Sequence, residues 1–385
     1  MINQFNLPRR YMLAGATAVL ATPSIVRAQT ADPIRLGTAM PLTGSQAGYG
    51  ADFLTGMRMA VKDVNAQGGF AGRQVELLAL DTQADPQLGI NAVNRFITVE
   101  KLPMFFIAWS AVVKAVAPVA NREKVLGINT GANAPEIARL GDYIYTAFPL
   151  ADIDITKLAV YTHKTLGKKR AAVLYINNET GIDAAKIYRD TFAAAGGQVV
   201  AFEAYDPKAT EFTGMLLKTR ASNPDMVHIH GLLSDTPQVI AQMRQLGMTQ
   251  RVSSYSVVYN PKVLEQLGAA AEGLIVTSLA PGVDENPNVT PFIERWKKEI
   301  GRAPNGLPYI QYQYDMVILA KAMYEYLAKK NMPATGDTLR EALTTVREFD
   351  LPMTGKTVID GHTVNKPVYL LTVEKGAFKP LATLT

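Results

Sequence analysis

The sequence predicts an α/β fold with two doubly wound lobes, each built on a parallel sheet that helices cover on both faces. From residue 34 onwards, short apolar runs rich in β-branched residues alternate with amphipathic helical segments, in the order βαβα almost throughout. The chain has 385 residues. One hydrophobic core does not usually serve a chain of that length, so we expect two lobes.

The two patterns divide the chain into regular elements. Strands are predicted at residues 34–40, 74–80, 104–108, 125–129, 170–176, 198–205, 226–230 and 274–278. Helices are predicted between them at residues 50–67, 86–99, 112–123, 155–166, 183–194 and 237–246. After residue 279, Gly and Pro breakers change the pattern, and we expect helices at 291–300 and 310–330 and a closing strand at 368–374.

The first 28 residues have the form of a twin-arginine export signal. Arg9 and Arg10 precede an apolar, small-residue stretch, and Val26-Arg27-Ala28 is a small-x-small cleavage pattern. The alternatives are a buried helix or a membrane anchor, but the apolar run is shorter than the roughly 20 residues that a bilayer requires. We therefore expect a periplasmic protein whose mature form begins after Ala28.

Net charge and cysteine content exclude several classes of function. Removing residues 1–28 takes away three arginines and no acidic residue, so the formal charge falls from +5 to +2. The remaining basic residues are scattered among acidic ones, and we expect no nucleic-acid partner. The chain contains no cysteine, which excludes disulfides, thiol nucleophiles and cysteine-ligated metals.

Three loops that directly follow predicted strands combine small residues with a hydroxyl or an amide. They contain Pro41-Leu42-Thr43-Gly44 with Gly48-Tyr49-Gly50, Trp109-Ser110-Ala111, and Thr130-Gly131-Ala132-Asn133-Ala134-Pro135. Ligands collect at the carboxyl ends of parallel strands, where backbone N–H groups and helix N-termini converge. Such a site suits a carboxylate, although each loop alone also has the composition of an ordinary turn.

The spacing of residues along the chain resembles one family. The residues are Pro41-Leu42-Thr43-Gly44, Tyr49-Gly50, Gly56, Ala60, Asn65, Gly68-Gly69, Gly72-Arg73, Asp81, Gly131-Ala132-Asn133-Ala134-Pro135-Glu136 and Tyr312-Gln313-Tyr314-Asp315. Their pattern is similar to that of the periplasmic substrate-binding proteins of branched-chain amino acid (Leu/Ile/Val-type) ABC transporters, the type I periplasmic binding proteins. The resemblance covers essentially the whole chain after the signal.

This resemblance implies two lobes joined by a three-segment hinge and closing on a ligand between them. The hinge crossings are expected near Pro149, Pro281 and residues 351–352. Lobe 1 then comprises residues 31–149 plus 282–351, and lobe 2 comprises residues 150–281 plus 352–385. The implied partners are a small carboxylate or amino acid and the permease subunits of an ABC importer in the inner membrane, and we expect a monomer.

The resemblance also assigns site residues. The carboxylate grip falls on the loop of Ser110 and Ala111, with Ser110 as hydroxyl donor, on the Gly131 backbone, and on Asn133, where relatives usually have Thr or Ser. Tyr49 falls where an aromatic ring covers the ligand.

Two positions in the second lobe depart from the family pattern. Thr180 stands where amino acid-binding relatives usually have Tyr. Ser256 stands where an acidic residue usually pairs with the ligand ammonium, and no Asp or Glu lies between Asp235 and Glu265. Burying an ammonium without a carboxylate is expensive. We therefore expect an amine-free aromatic, aliphatic or keto acid, with a branched-chain or other neutral amino acid as the alternative.

His230 ends a predicted strand and either meets a second polar group of the ligand or has a structural role. His228 lies on the same strand face, but no third ligand at metal-site spacing accompanies the pair, so we expect no metal and no cofactor. Nucleophile-elbow, zinc-protease and phosphate-loop motifs are missing from the sequence, and we expect no catalytic residues. A ligand-sensing receptor domain with the same fold is the remaining alternative.

Overall fold

The structure is a computed structural model that describes residues 32–282 and 285–384. The predicted export signal at residues 1–28 lies outside the described residues. Within the described part of the chain, no helix is both long and apolar enough to cross a membrane.

The first sheet is parallel at every pairing and has the strand order β2-β1-β3-β4-β5 in the described residues. Its strands are β1 (Ile34–Met40), β2 (Val75–Asp81), β3 (Met104–Ile107), β4 (Leu126–Asn129) and β5 (Ile144–Thr146). Along β1, Leu36 and Met40 enter one hydrophobic cluster, whereas Ala39 enters another. Successive strand residues point to opposite faces, so this sheet is covered on both sides.

Three helices of the first lobe connect these strands. They are α1 (Ala47–Ala66), α2 (Pro86–Thr98) and α3 (Ser110–Glu123). Asp85 starts α2, because its carboxylate accepts the Leu88 N–H at 2.9 Å and Pro86 occupies the first helical position. Both α1 and α3 begin in the loops that were predicted to hold a ligand, and their N-termini therefore face the carboxyl edge of the sheet.

The second lobe again alternates helices and strands. Its elements in chain order are α4 (Ala151–Lys164), β6 (Arg170–Ile176), α5 (Glu179–Ala194), β7 (Gln198–Tyr205), α6 (Thr213–Ala221), β8 (Met226–His230), α7 (Thr236–Gln245), β9 (Arg251–Ser254), α8 (Pro261–Leu267) and β10 (Ile275–Ser278). The pairings among β6 to β10 are parallel.

The chain then returns to the first lobe. The elements there are α9 (Val289–Ile300), α10 (Leu307–Lys330), α11 (Gly336–Val346), β11 (Glu348–Leu351), β12 (Gly355–Asp360) and β13 (Thr363–Asn365). Helix α10 packs closely on α1 at Gly56, where a Cβ atom would lie 3.1 Å from Ile310 Cγ2. Strands β11 to β13 form a small antiparallel sheet, and Ile359 and Val364 from it join the hydrophobic cluster of α1 and α10.

A hairpin of β14 (Val368–Glu374) and β15 (Ala377–Leu384) completes the second sheet, whose order is β15-β14-β10-β9-β8-β6-β7 in the described residues. Strand β14 pairs antiparallel with both β10 and β15. The second sheet is therefore mixed, whereas the sequence predicted a parallel sheet and did not predict β15.

The structure moves one predicted lobe boundary. We expected lobe 2 to resume at residue 352, but Met353, Ile359 and Val364 are buried in the core cluster of the first lobe. The third connection between the lobes therefore lies between Asn365 and Val368.

Helix α10 forms hydrogen bonds with the connection near Pro281 and with residues 353–354, which precede the third connection. Gln311 Nε2 donates to Pro281 O at 2.9 Å, and the Tyr312 hydroxyl donates to Leu279 O at 2.8 Å. Asp315 accepts the N–H groups of Met353 and Thr354 at 3.1 and 2.7 Å.

Asp315 also accepts the Thr354 hydroxyl at 2.6 Å and interacts electrostatically with Lys366 in the third connection. Lys366 is 4% exposed, and its ammonium donates to the Thr357 hydroxyl at 2.7 Å. Asp315 and Lys366 are thus buried charges of opposite sign beside the third connection. Removing one of them leaves the other without compensation.

We expect Asp315→Ala to lower the free energy of unfolding by about 3–5 kcal/mol, because the buried Lys366 charge and three hydrogen-bond donors lose their partner. Urea unfolding measures the loss. Glu325→Gln on the solvent side of α10 is the matched control and should stay within about 0.5 kcal/mol of the unmodified protein. Equal stabilities for the two variants would contradict this assignment.

Candidate functional site

Loops from both lobes meet in a cleft at the carboxyl ends of the strands. The lining residues are Gln46, Tyr49, Phe53, Trp109, Ser110, Gly131, Ala132, Asn133, Thr180, Leu232, Tyr255, Val257 and Tyr309. The space that protein atoms leave unfilled is about 490 Å³, including its opening to solvent. None of these described side chains carries a charge. A ligand in the cleft therefore meets aromatic rings, hydroxyls and amides.

Aromatic rings form the wall that the first lobe contributes. The Phe53 ring lies at its centre, stacked on Tyr309 at 6.0 Å and tilted against Trp109 at 5.5 Å. Tyr49 meets the Phe53 ring edge-on at 6.2 Å. Offset-stacked and edge-on pairs are favourable, so the wall is stable and presents both ring faces and ring edges to the cleft.

Helix α3 begins in the cleft. Its first residue, Ser110, follows Trp109, which has a φ of +68°. Such a backbone is costly for a bulky residue, and strain of this kind clusters at ligand sites. The N–H groups of the first turn have no acceptor within the helix, and the positive end of the helix dipole favours an anion there. Ala111 lies in this turn but does not line the cleft.

Asn129 shapes the loop that follows β4. Its side-chain oxygen accepts the N–H groups of Gly131 and Ala132 at 3.2 and 2.8 Å, and its amide donates to Ala132 O at 2.7 Å. A Cβ atom on Gly131 would lie 2.6 Å from Phe53 Cε2. We predicted that the Gly131 backbone binds the carboxylate, and this role stays a prediction. In the structure the Gly131 N–H donates to the Asn129 side-chain oxygen. Gly131 is needed here because any side chain would collide with Phe53.

Asn133 contributes a side-chain amide to the lining of the cleft, and its backbone connects the same loop to the second lobe. Its backbone carbonyl accepts the Ala151 N–H at the start of α4 at 2.8 Å. The Ser110 hydroxyl accepts the Ala134 N–H at 3.4 Å. Ser110 and Asn133 therefore lie on adjacent loops, with a hydroxyl and an amide available to one ligand group.

The structure brings together most, but not all, of the predicted site residues. Tyr49, Ser110, Gly131, Asn133 and Thr180 line the cleft. Their roles in binding remain predictions. Ala111, His230 and Ser256 do not line it.

Ser256 and His230 instead support the residues that do. Ser256 is fully buried, and its hydroxyl hydrogen-bonds the Tyr309 hydroxyl at 2.8 Å. His230 is fully buried behind Tyr255, with the two rings stacked 3.9 Å apart. Burial lowers the pKa of His230 to about 3, so the imidazole is neutral, and neither ring nitrogen has a hydrogen-bond partner among the described residues.

His228 does not form a metal site with His230. Its ring stacks on Tyr188 at 4.1 Å, and its Nδ1 lies 3.1 Å from the Ser253 hydroxyl. Across residues 32–282 and 285–384, no group of three or more His, Asp or Glu side chains is placed to hold a metal ion.

Sequence reasoning missed Gln46, Phe53, Leu232, Tyr255, Val257 and Tyr309 as lining residues. Tyr255 directly follows β9, and Leu232 lies two residues beyond β8, so the rule that ligands lie beyond strand ends would have found both. Tyr255 was missed because the polar segment of β9 did not suggest a strand. Tyr309 lies in the first turn of α10, and no local pattern connects it with the loops of the other residues.

Hydrogen bonds join the two lobes across the cleft. The Tyr49 hydroxyl of the first lobe donates to Val257 O of the second at 2.9 Å and accepts from Asn260 Nδ2 at 3.4 Å. Ser256 and Tyr309 form the second such bridge. Both bridges use residues at the cleft, so the contact between the lobes and the binding space depend on each other.

A buried carboxyl lies behind Tyr309. Asp154, in the first turn of α4, is 2% exposed and accepts the Thr277 hydroxyl at 2.9 Å. Burial raises the pKa of Asp154 from 3.8 to about 7, and the charge of Asp152 acts in the same direction. The native state therefore holds a proton that the unfolded chain has lost at intermediate pH.

The stability that Asp154 contributes is complete below pH 3.8 and is lost as the pH rises through about 7. We expect Asp154→Asn, which stays neutral, to flatten the decline in unfolding free energy between pH 3.8 and about pH 7. Urea unfolding at a series of pH values measures the slope. Asp183→Asn, on the surface of α5, removes the same charge as a control. Identical slopes for the protein and Asp154→Asn would refute the assignment.

The fold and the cleft define a two-lobed solute-binding protein whose ligand site lies between the lobes. The chain belongs to the periplasmic binding protein family, because the model of that family matches residues 33–377. The leucine-specific-binding protein of Salmonella typhimurium is 24% identical over 314 residues, which cover 81% of this chain and 83% of the relative.

Solved structures share the fold. A branched-chain amino acid transporter substrate-binding protein from Streptococcus pneumoniae, in complex with isoleucine, has a TM-score of 0.81 and 21% identity, covering 92% of this chain and 99% of its own. A solute-binding protein of an ABC transporter from Rhodopseudomonas palustris, in complex with 3,4-dihydroxybenzoic acid, has a TM-score of 0.80 and 21% identity, covering 92% and 97%. The predicted family and the predicted α/β fold are confirmed.

Proposed function

We propose that this protein captures an amine-free carboxylic acid in the cleft between its lobes and delivers it to the permease of an ABC importer. The observation that carries the proposal is the uncharged lining of the cleft in the described residues. A buried ammonium without a carboxylate partner loses its hydration without compensation. An acid without an amine avoids this cost.

The carboxylate end of the ligand belongs at the first lobe. The Ser110 hydroxyl, the Asn133 amide and the unpaired N–H groups of the first turn of α3 supply donors there, and the helix end favours negative charge. Donors of this kind bind a carboxylate without Arg or Lys. A carboxylate site made of these donors is therefore compatible with a cleft lining that carries no charge.

The rest of the ligand meets aromatic surface. Phe53, Trp109 and Tyr309 form a stacked and tilted group on one side, and Tyr255 lies in the second lobe. A planar, apolar ring pairs well with such rings. Aromatic acids are therefore our preferred ligands, ahead of aliphatic and keto acids. The two solved relatives differ on this point, since one holds isoleucine and the other a dihydroxybenzoic acid.

Residues 1–28 carry the twin-arginine pattern, and we propose that they export the protein to the periplasm. It then acts there as a monomeric carrier without catalytic activity. Ligand bridges between Ser110 or Asn133 and the second-lobe loops would shift the population from open to closed. The closed form is the one presented to the permease.

Pairs of ligands that differ only in the amine test the proposal. We expect phenylpyruvate and 4-methyl-2-oxopentanoate to raise the melting temperature, and phenylalanine and leucine, with the same carbon skeletons, to leave it unchanged. Benzoate and 4-hydroxybenzoate extend the amine-free set. The measurement is a thermal-shift screen followed by calorimetric titration. Preferential binding of the amino acids would establish the alternative, a branched-chain or neutral amino acid carrier.

We expect Ser110→Ala to weaken binding of the best acid by about 1–3 kcal/mol, because a carboxylate in a closed cleft loses a hydroxyl donor that water cannot replace. Isothermal titration calorimetry measures the dissociation constant. Ser222→Ala is the matched control, since that hydroxyl donates to Thr219 O at 2.7 Å at the end of α6, outside the cleft. Unchanged affinity in Ser110→Ala would place the carboxylate elsewhere.

A further inference from the structure

A second space, here called the outer chamber, adjoins the cleft at Tyr49. Its unfilled space is about 750 Å³, again including the opening to solvent. It is lined by Ser45, Gln46, Gly48, Tyr49, Leu232, Leu233, Ser234, Val257, Lys262, Gln266 and Asn305. Gln46, Tyr49, Leu232 and Val257 line both this outer chamber and the inner cleft. These four residues therefore form the wall between the two spaces.

Tyr49 is the part of this wall that extends from one lobe to the other. Its backbone belongs to α1 in the first lobe, and its hydroxyl reaches Val257 O of the second lobe at 2.9 Å. Asn260, which is fully buried, donates to the same hydroxyl at 3.4 Å. The ring therefore spans the cleft from side to side.

The ring has little freedom to move aside. A Cβ atom on Gly306 would lie 2.6 Å from Tyr49 Cε1, so the ring rests against the backbone that precedes α10. Phe53 contacts the ring from within the cleft at 6.2 Å. Asn260 is itself fixed, because its side-chain oxygen accepts the Lys262 N–H at 3.0 Å. Contacts from both lobes thus hold the partition in place.

We propose that Tyr49 sets the maximum length of the ligand by closing the inner cleft against the outer chamber. A short acid fits wholly behind the ring and leaves the hydrogen bonds to Val257 and Asn260 intact. A longer acid with its carboxylate at Ser110 would have to displace the ring and break both bonds. The outer chamber, where Leu232, Leu233 and Val257 accompany Lys262 and Gln266, becomes available to the ligand only after the ring has moved.

The length limit is independent of whether the ligand carries an amine, although its carboxylate anchor rests on the proposed function. The test therefore uses two pairs of probes, one short and one long in each. The amine-free pair is benzoate and biphenyl-4-carboxylate. The amine-bearing pair is leucine and 2-aminodecanoate. Calorimetry measures the affinity of the long probe and of the short probe, and the ratio of the two is the readout. The pair used is the one whose short probe binds to the unmodified protein.

We expect Tyr49→Ala to raise this ratio by about tenfold or more, because opening the wall replaces a steric clash with buried apolar contact. Tyr49→Phe keeps the ring but loses the hydroxyl bonds to Val257 and Asn260, so it should raise the ratio by less than Tyr49→Ala does. Leu232→Ala enlarges the same wall from the second lobe and should raise the ratio as well. Leu232 is only half-buried, so that variant decides the matter if Tyr49→Ala fails to fold.

Two results would overturn the partition: an unmodified protein that binds the long probe as tightly as the short one, or an unchanged ratio in folded Tyr49→Ala and in Leu232→Ala. Binding of leucine in place of benzoate would refute the amine-free ligand, but the ratio in the amine-bearing pair would still decide the length limit. Failure of the proposed function and failure of the partition are thus separate outcomes.

Discussion

Helix α10 is the constraint on which the geometry of the cleft depends, because it bonds to the interlobe connections and to a binding loop at once. Gln311 and Tyr312 hold the backbone of the second connection, and Asp315 holds the segment before the third. Gln313 Nε2 donates to Thr130 O at 2.7 Å, beside the loop that carries Asn133. One turn earlier, Tyr309 faces the ligand space. A single helix thus links the cleft to the connections between the lobes.

The sequence predicted strands and helices well wherever burial comes from the element's own composition. Strands β1, β6, β7 and β8 were predicted to the residue, because apolar residues predominate in each of them. Strand β9 was missed because Ser253 and Ser254 are polar yet fully buried, with the Ser254 hydroxyl satisfied by Ile229 O at 2.7 Å. Only the neighbouring strand provides that acceptor, and local sequence does not reveal it.

The candidate site likewise contains some residues that the sequence could indicate and others that it could not. The loops of Ser110 and Asn133 were indicated because each follows a strand, and parallel topology brings strand ends together. The roles of these two residues came from the family resemblance. His230 also ends a strand, but Tyr255 covers its ring, so strand position alone did not reveal which side chains reach the cleft. Tyr309 comes from a helix far along the chain. Its place in the cleft results from tertiary packing, which spacing cannot encode.

The position of Trp109 gives the protein its own optical reporter. The chain has two tryptophans. Trp296 is fully buried in the core of the first lobe, whereas Trp109 is half-buried and lines the cleft beside Phe53. A solute bound in the cleft would contact Trp109 and not Trp296, so we expect the change in indole emission to come mainly from Trp109. Occupancy can be followed in this protein by its intrinsic fluorescence, without a dye or a label.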